Sequence, residues 1–175
     1  MQEFIFAIDM LKKTKAKIYC IEPVIEFCIA LKKTLNLYAP KSRYKIFNYG
    51  LGDKITEGSL MVNESSPEIS FIKNKRNLKR TIEIMTFDGL AKKNNINGRG
   101  LLKMDIEGFE MSALKGAANF LSEHKPILAI AIYHDYLNAI KCKEIILKAN
   151  PNYKVHYRGF YGYSNPPRPY MLFAF

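Results

Sequence analysis

Cysteine is scarce in this 175-residue chain, and its three copies, Cys20, Cys28 and Cys142, are scattered. An odd number with no C-x-x-C or Cys/His spacing excludes a disulfide scaffold and a zinc finger. It predicts reduced core thiols in a cytoplasmic protein. Long hydrophobic runs are also missing. The stretch Phe4-Ile5-Phe6-Ala7-Ile8 is too short to span a membrane and is broken by Asp9; no basic region precedes it and no small-residue cleavage site follows, so a signal peptide is not expected. No internal repeat, low-complexity tract or linker interrupts the chain. No G-x-G-x-x-G opens a strand–helix unit, which disfavours an NAD-type dehydrogenase. Acidic residues are the minority charge, 16 against 27 lysines and arginines, for a formal net charge of +11.

A hydrophobic content of 48% with 13% aromatics excludes a disordered chain, and the length predicts a single domain over residues 1–175 with a proper core. The positive charge is compatible with nucleic acid, an anionic surface or an acidic substrate, and equally with solvated lysine-rich helix faces. The densest cluster is Lys73-Asn74-Lys75-Arg76-Asn77-Leu78-Lys79-Arg80, five cations in eight loop-like residues. It has no interleaved aromatics for base stacking, so nucleic acid is not the expected partner.

Periodicity predicts alternating strands and helices. A helix over 1–15 presents Phe4, Ile8 and Leu11; a short strand over 18–21 ends at Glu22-Pro23; a helix follows over 24–37. A strand over 44–49 leads into the loop Gly50-Leu51-Gly52-Asp53. Residues 58–62 and 68–72 read as a β-hairpin, 81–86 as a strand and 87–94 as a short helix. Leu101–Met104 reads as a buried strand, followed by a helix with Met111, Leu114, Ala118 and Leu121 on one face. Residues 126–134 form a second buried strand, 135–149 a helix, and 153–157 with 170–175 a terminal hairpin. The order predicts an α/β fold, a mostly parallel, doubly wound sheet with an antiparallel C-terminal edge.

The stretch Leu101-Leu102-Lys103-Met104-Asp105-Ile106-Glu107-Gly108-Phe109-Glu110 breaks from an apolar run onto acids and a glycine. Acids just past a parallel strand stand at the ligand edge of an α/β sheet, where charge is costly and usually has work to do; the plainer reading is acids complementing a helix N-terminus. Glu22 ends an earlier strand, and a carboxylate there can accept both hydroxyls of a ribose; on its own it reads equally as a solvated acid before Pro23. His134 closes the second buried strand, and a neutral imidazole near pH 7 can take a proton from a hydroxyl nucleophile. Asp105, Glu107 and His134 together could ligate a divalent metal, although no spacing demands one and no metal is predicted.

These segments in order resemble the FkbM-type methyltransferases: Ile21-Glu22-Pro23; Asn48-Tyr49-Gly50-Leu51-Gly52-Asp53; the block from Leu102 to Glu110 with Leu114-Lys115-Gly116-Ala117; and Tyr133-His134. The resemblance runs from about Ile18 to Phe175, and the Lys103-to-Ala117 block is its most specific part. It implies a Rossmann-like class I methyltransferase fold that uses S-adenosylmethionine to methylate hydroxyls of sugars, glycans or secondary metabolites. Carried over by position, Glu22 would bind the cofactor ribose, and Gly50, Leu51 and Asp53 would lie along the adenine. Asp105 and Glu107 would face the methionine end and the transfer site, with His134 as a base. The family's opening strand and D-x-G-x-x-x-G loop have no counterpart here, so the chain is expected to be N-terminally truncated. The alternative is a non-catalytic or decayed basic binding module for RNA or an anionic glycan, whose binding would weaken steeply with salt.

Overall fold

A computed structural model describes residues 2–63, 77–135, 137–163 and 165–175. The chain divides into two compact units, one of residues 1–50 and 56–84, the other of residues 51–55 and 85–175.

In the first unit, helix α1 (Gln2–Lys13) is followed by strand β1 (Ile18–Ile21), helix α2 (Ile25–Leu35) and strand β2 (Tyr44–Phe47). Ala7 and Leu11 of α1 pack with Leu31 and Leu35 of α2 and with Tyr44, and Ile8 lies at the margin of that cluster. Positions four apart share one helix face, which is why α1 turns this edge inward. β1 and β2 pair in parallel, from Ile18 opposite Tyr44 to Ile21 opposite Phe47. Arg43 ties the α1–β1 connection to the start of β2, its guanidinium donating to the carbonyls of Thr14 at 2.8 Å and Ala16 at 3.0 and 3.1 Å. Expectation and structure part at the hairpin. Strand β4 (Thr56–Asn63) pairs antiparallel with β5 (Asn77–Met85), in a sheet of order β3-β5-β4 that includes the two-residue β3 (Gly50–Leu51). The expected partner strand over 68–72, and cations 73–76, lie outside the described residues. Asn77–Arg80, expected as loop, begins β5, where its backbone pairs with β4 from Asn63 opposite Asn77 to Leu60 opposite Arg80.

In the second unit, helix α3 (Phe87–Asn94) starts at Thr86, whose hydroxyl accepts the Gly89 N–H at 3.1 Å. Then come β6 (Leu101–Met104), α4 (Glu110–Lys115), α5 (Ala118–His124), β7 (Ile127–Ala131), α6 (Asn138–Ala149), β8 (Val155–Tyr161) and β9 (Arg168–Ala174). Their sheet has the order β6-β7-β9-β8: β6 and β7 are parallel, and β9 joins β7 and β8 antiparallel. Leu114, Leu121, Leu128, Ile130, Cys142, Ile146 and Leu172 form its dry interior.

Two expectations are corrected here. The helix after Asp105 is two helices, α4 and α5, separated at Gly116-Ala117. At the junction the Gly116 carbonyl accepts the Asp88 N–H at 2.9 Å, and the Asp88 carboxylate accepts the Asn119 and Phe120 N–H groups at 3.0 and 2.9 Å, so these groups are satisfied outside a continuous helix. A methyl group built on Gly116 would overlap the carbonyl oxygen of Gly52, so backbone occupies the space a side chain would need. β6 is also less buried than its apolar run suggests, with Leu101 47% exposed and only Met104 fully inside. Among the described residues β6 pairs with β7 alone, and a strand at a sheet edge is covered less than a central one.

Candidate active site

The parallel β6–β7 pair, joined through α4 and α5, sends the carboxyl ends of both strands to one edge. Asp105 follows β6 directly. His134 follows β7 by three residues. The spacing of the acids after β6 is explained by the turn they make. Glu107 and Gly108 are both left-handed, with φ of 56° and 96°. Gly108 adopts this freely, whereas Glu107 is held there against its preference. The holding group is Glu110, the first residue of α4 and fully buried. Its Oε1 accepts the Ile106 N–H at 3.0 Å, with a longer approach from the Gly108 N–H at 3.4 Å. D-x-E-G-x-E is thus a strand end, a left-handed pair and a carboxylate reaching back to clamp them.

His134 lies at the centre of the acids. Its Nε2 is 3.3 Å from Asp105 Oδ1 and 3.6 Å from Glu110 Oε1, and its Nδ1 is 3.6 Å from Glu107 Oε2. The Tyr133 hydroxyl donates to the same Asp105 oxygen at 3.3 Å. Arg168 of β9 holds the backbone, donating to the His134 carbonyl at 3.0 Å. The Tyr133 ring stacks on Tyr170 and Tyr161, at 4.9 and 5.1 Å between centroids. The three acids and the histidine converge on the imidazole itself, and among the described residues no His/Cys/Asp/Glu group is arranged to hold a metal ion.

Burial drives these groups toward neutrality, and their partners overrule it. Burial pushes the His134 pKa down, but the hydrogen bond to Asp105 and the charges of Glu110, Glu107 and Asp105 carry it above the ordinary histidine value. Burial pushes Asp105 up, but the His134 hydrogen bond, the charges of Lys103 and His134 and the Tyr133 hydroxyl bring it below the usual carboxylate value. Tyr133 is pushed far up, first by burial and then by Asp105 and Glu107, and so stays a donor. The imidazole therefore keeps its proton further into the neutral range than the sequence reading assumes.

The other sequence-derived positions have contacts of their own. In the first unit Glu22 follows β1, and its Oε1 accepts the Val24 N–H at 2.7 Å, which ties the turn between β1 and α2. Asn48 fastens that corner to the end of β2, donating to the carbonyls of Glu22 at 2.9 Å and Pro23 at 2.8 Å. Beside it is a cavity of about 460 Å³, lined in part by Pro23, Phe47, Asn48, Tyr49 and Glu83. Gly50 and Leu51 form β3 rather than a loop. In the second unit the Asp53 N–H donates to the Ser112 hydroxyl at 3.1 Å, and the Gly52 N–H to the Met85 carbonyl at 3.0 Å. Sequence reasoning missed Glu110, Tyr133 and Arg168 as parts of the site. The signal for Glu110 was its place in the acid–glycine block, whereas Arg168 had none.

The fold is a Rossmann-like α/β architecture, and the comparisons with known proteins identify its family. The methyltransferase FkbM domain family matches residues 1–154, and the chain belongs to that family. It is similar to the crystal structure of methyltransferase FkbM from Methylobacillus flagellatus KT, with a TM-score of 0.73 and 25% identity, over 99% of this chain and 40% of that one. The chain thus spans well under half the length of that protein. None of the curated proteins matches it. Among the described residues no helix is long and apolar enough to cross a membrane.

Proposed function

We propose that this methyltransferase moves the methyl group of S-adenosylmethionine to a hydroxyl of a small molecule or glycan, with His134 as general base. The contact between Asp105 and His134, at the ends of two parallel strands, carries the reading. When bound, the cofactor supplies an electrophilic methyl group. The chain's own task is to orient the acceptor in line with it and to remove the hydroxyl proton. His134 Nε2 is committed to Asp105 and buried Glu110. Nδ1 faces Glu107, whose side chain is 51% exposed, and is the nitrogen an acceptor hydroxyl reaches. With an acid at each nitrogen the imidazole rests protonated, so the Nδ1 proton must leave before it can act as base. Activity therefore rises with pH, through a midpoint above the ordinary histidine value of 6.5.

The residues suit the cofactor. A cavity of about 460 Å³ lies within the range for small-molecule sites, and its Phe47 and Tyr49 offer apolar surface to an adenine ring. Glu22, at the corner beside it, is the carboxylate for the ribose hydroxyls, and Gly50, Leu51 and Asp53 the backbone and acid along the adenine. Asp105 and Glu107 face the methionine end. The test is transfer of labelled methyl from S-adenosylmethionine to a panel of sugars, glycans and phenolic or aliphatic alcohols, alongside calorimetric titration with the cofactor. The titration is made on a chain that carries the family's opening strand and glycine loop ahead of these residues. Cofactor binding with label on a hydroxyl supports the reading. Label on nitrogen or carbon acceptors alone overturns its O-methylation part, and absence of cofactor binding to that chain overturns the remainder.

A further inference from the structure

Glu110 is the site's most buried acid, and acid–base chemistry at Nδ1 makes no direct use of it. Fully burying a carboxylate is costly unless its contacts compensate, so its position calls for a reason. One oxygen, Oε1, does two things at once: it accepts the Ile106 N–H at 3.0 Å and lies 3.6 Å from His134 Nε2. The other oxygen, Oε2, is buried and has no hydrogen-bond partner. An acid serving only to tie the turn could be an amide, which accepts the same N–H without burying a charge.

We propose that Glu110 is a positioning residue for His134, a buried counter-charge that holds the imidazole against Asp105 while its grip on Ile106 fixes the turn presenting Asp105 and Glu107. The inference rests on the transferase reading only for its kinetic consequence. The charged and titratable groups facing His134 are Asp105 and Glu107 from the turn after β6, Glu110 from α4, Tyr133 beside it in sequence, and Arg168 from β9 at its carbonyl. Three are acids clustered at the ring, and Glu110 is the one withdrawn from solvent, where a charge is least screened.

The experiment is an NMR titration of the His134 ring in the whole chain. Its signal is assigned among the three histidines by the variants His124→Gln and His156→Gln, each of which removes one of the other two resonances. Glu110→Gln keeps an oxygen for the Ile106 N–H and removes the charge, so the His134 midpoint should fall by on the order of one pH unit. In the transfer assay the pH midpoint of kcat should move down with the ring midpoint and the high-pH plateau of kcat should fall, while KM for S-adenosylmethionine stays within about twofold, because a positioning residue acts on the base and not on cofactor binding. Glu110→Asp, which withdraws the charge by one methylene, should give a midpoint between those of the wild type and Glu110→Gln. A Glu110→Gln midpoint equal to the wild-type value overturns the proposal. If Glu110→Gln does not fold, an unmoved midpoint in Glu110→Asp overturns it equally. The titration needs neither cofactor nor acceptor. A chain that methylates nothing but shows the shift retains the Glu110 role, and an active chain with an unmoved midpoint loses it.

Discussion

Glu22 and Asp105 occupy equivalent places in the two units: each is the acid immediately after a parallel strand. Their surroundings differ. Glu22 places an oxygen on the Val24 N–H two residues away, a local contact within the turn that leads from β1 to α2. Asp105 is held by Tyr133 and His134, which arrive from the neighbouring strand 28 and 29 residues later. A local backbone contact orients a carboxylate. A long-range imidazole and phenol also retune its acidity, and are retuned in turn. The first arrangement suits a binding acid and the second suits chemistry, although the sequence presents both as a strand running into an acid.

The comparison breaks first, and by the largest margin, at Asp105. Asp105→Asn should lower turnover by roughly 10²–10⁴, the range for loss of general-base function, because the amide can neither orient His134 as the carboxylate does nor stabilise its charged form. The measurement is kcat for methyl transfer beside the urea midpoint. A turnover loss with no more than a small stability loss sustains the distinction; an active Asp105→Asn enzyme abolishes it.

The order of elements was legible because hydrophobic period and punctuation agreed. β1 (Ile18–Ile21), α3 (Phe87–Asn94) and β6 (Leu101–Met104) begin and end where the sequence pattern places them. The β4–β5 register was not legible, since it depends on which of several alternating stretches pair across a long connection. Nor was the break between α4 and α5, where the Gly116 carbonyl and the Asn119 and Phe120 N–H groups bond to Asp88 of α3 rather than along one helix. Asp105, Glu107 and His134 were each identifiable from strand ends, and topology brought them together. The protonation bias of His134 was hidden, because it arises from how many carboxylates reach the ring and not from any spacing in the chain.

Glycines sharpen the contrast between the units at the next size of effect. Gly116→Ala should destabilise the second unit by about 3 kcal/mol, since the added methyl meets backbone that has nowhere to go. Gly58→Ala in the first unit meets the Cδ1 of Ile84 at 2.6 Å, the end of a side chain that can rotate, and should cost about 1 kcal/mol. Urea denaturation of both variants reads the difference. Equal losses would show that the Gly52–Gly116 contact relaxes as easily as a rotamer.

Glu22→Ala should weaken S-adenosylmethionine binding by about 1.5–3 kcal/mol, the range for a hydrogen bond to a charged group. Because Glu22 also ties the turn into α2, Glu22→Gln is the control: its amide oxygen can still accept the Val24 N–H, so stability should hold while ribose binding declines. Calorimetry that finds both variants binding like the wild type removes the ribose role.

The smallest effect is the pH dependence of stability, and its sign follows from the direction of each shift. His134 has its pKa raised on folding, so its contribution is complete below the ordinary value of 6.5 and is lost as pH rises through the folded value. Asp105 has its pKa lowered, so its contribution is complete above the ordinary value of 3.8 and is lost as pH falls through the folded value. Both are present together between those two ordinary values, where the pair is a protonated imidazole against a carboxylate. His134→Gln should therefore lose most, relative to the wild type, near pH 5–6, and the gap should narrow toward pH 9, where the wild-type imidazole is neutral. Urea midpoints across that range decide it: a His134→Gln deficit that grows with pH reverses the sign, and places a neutral imidazole beside Asp105.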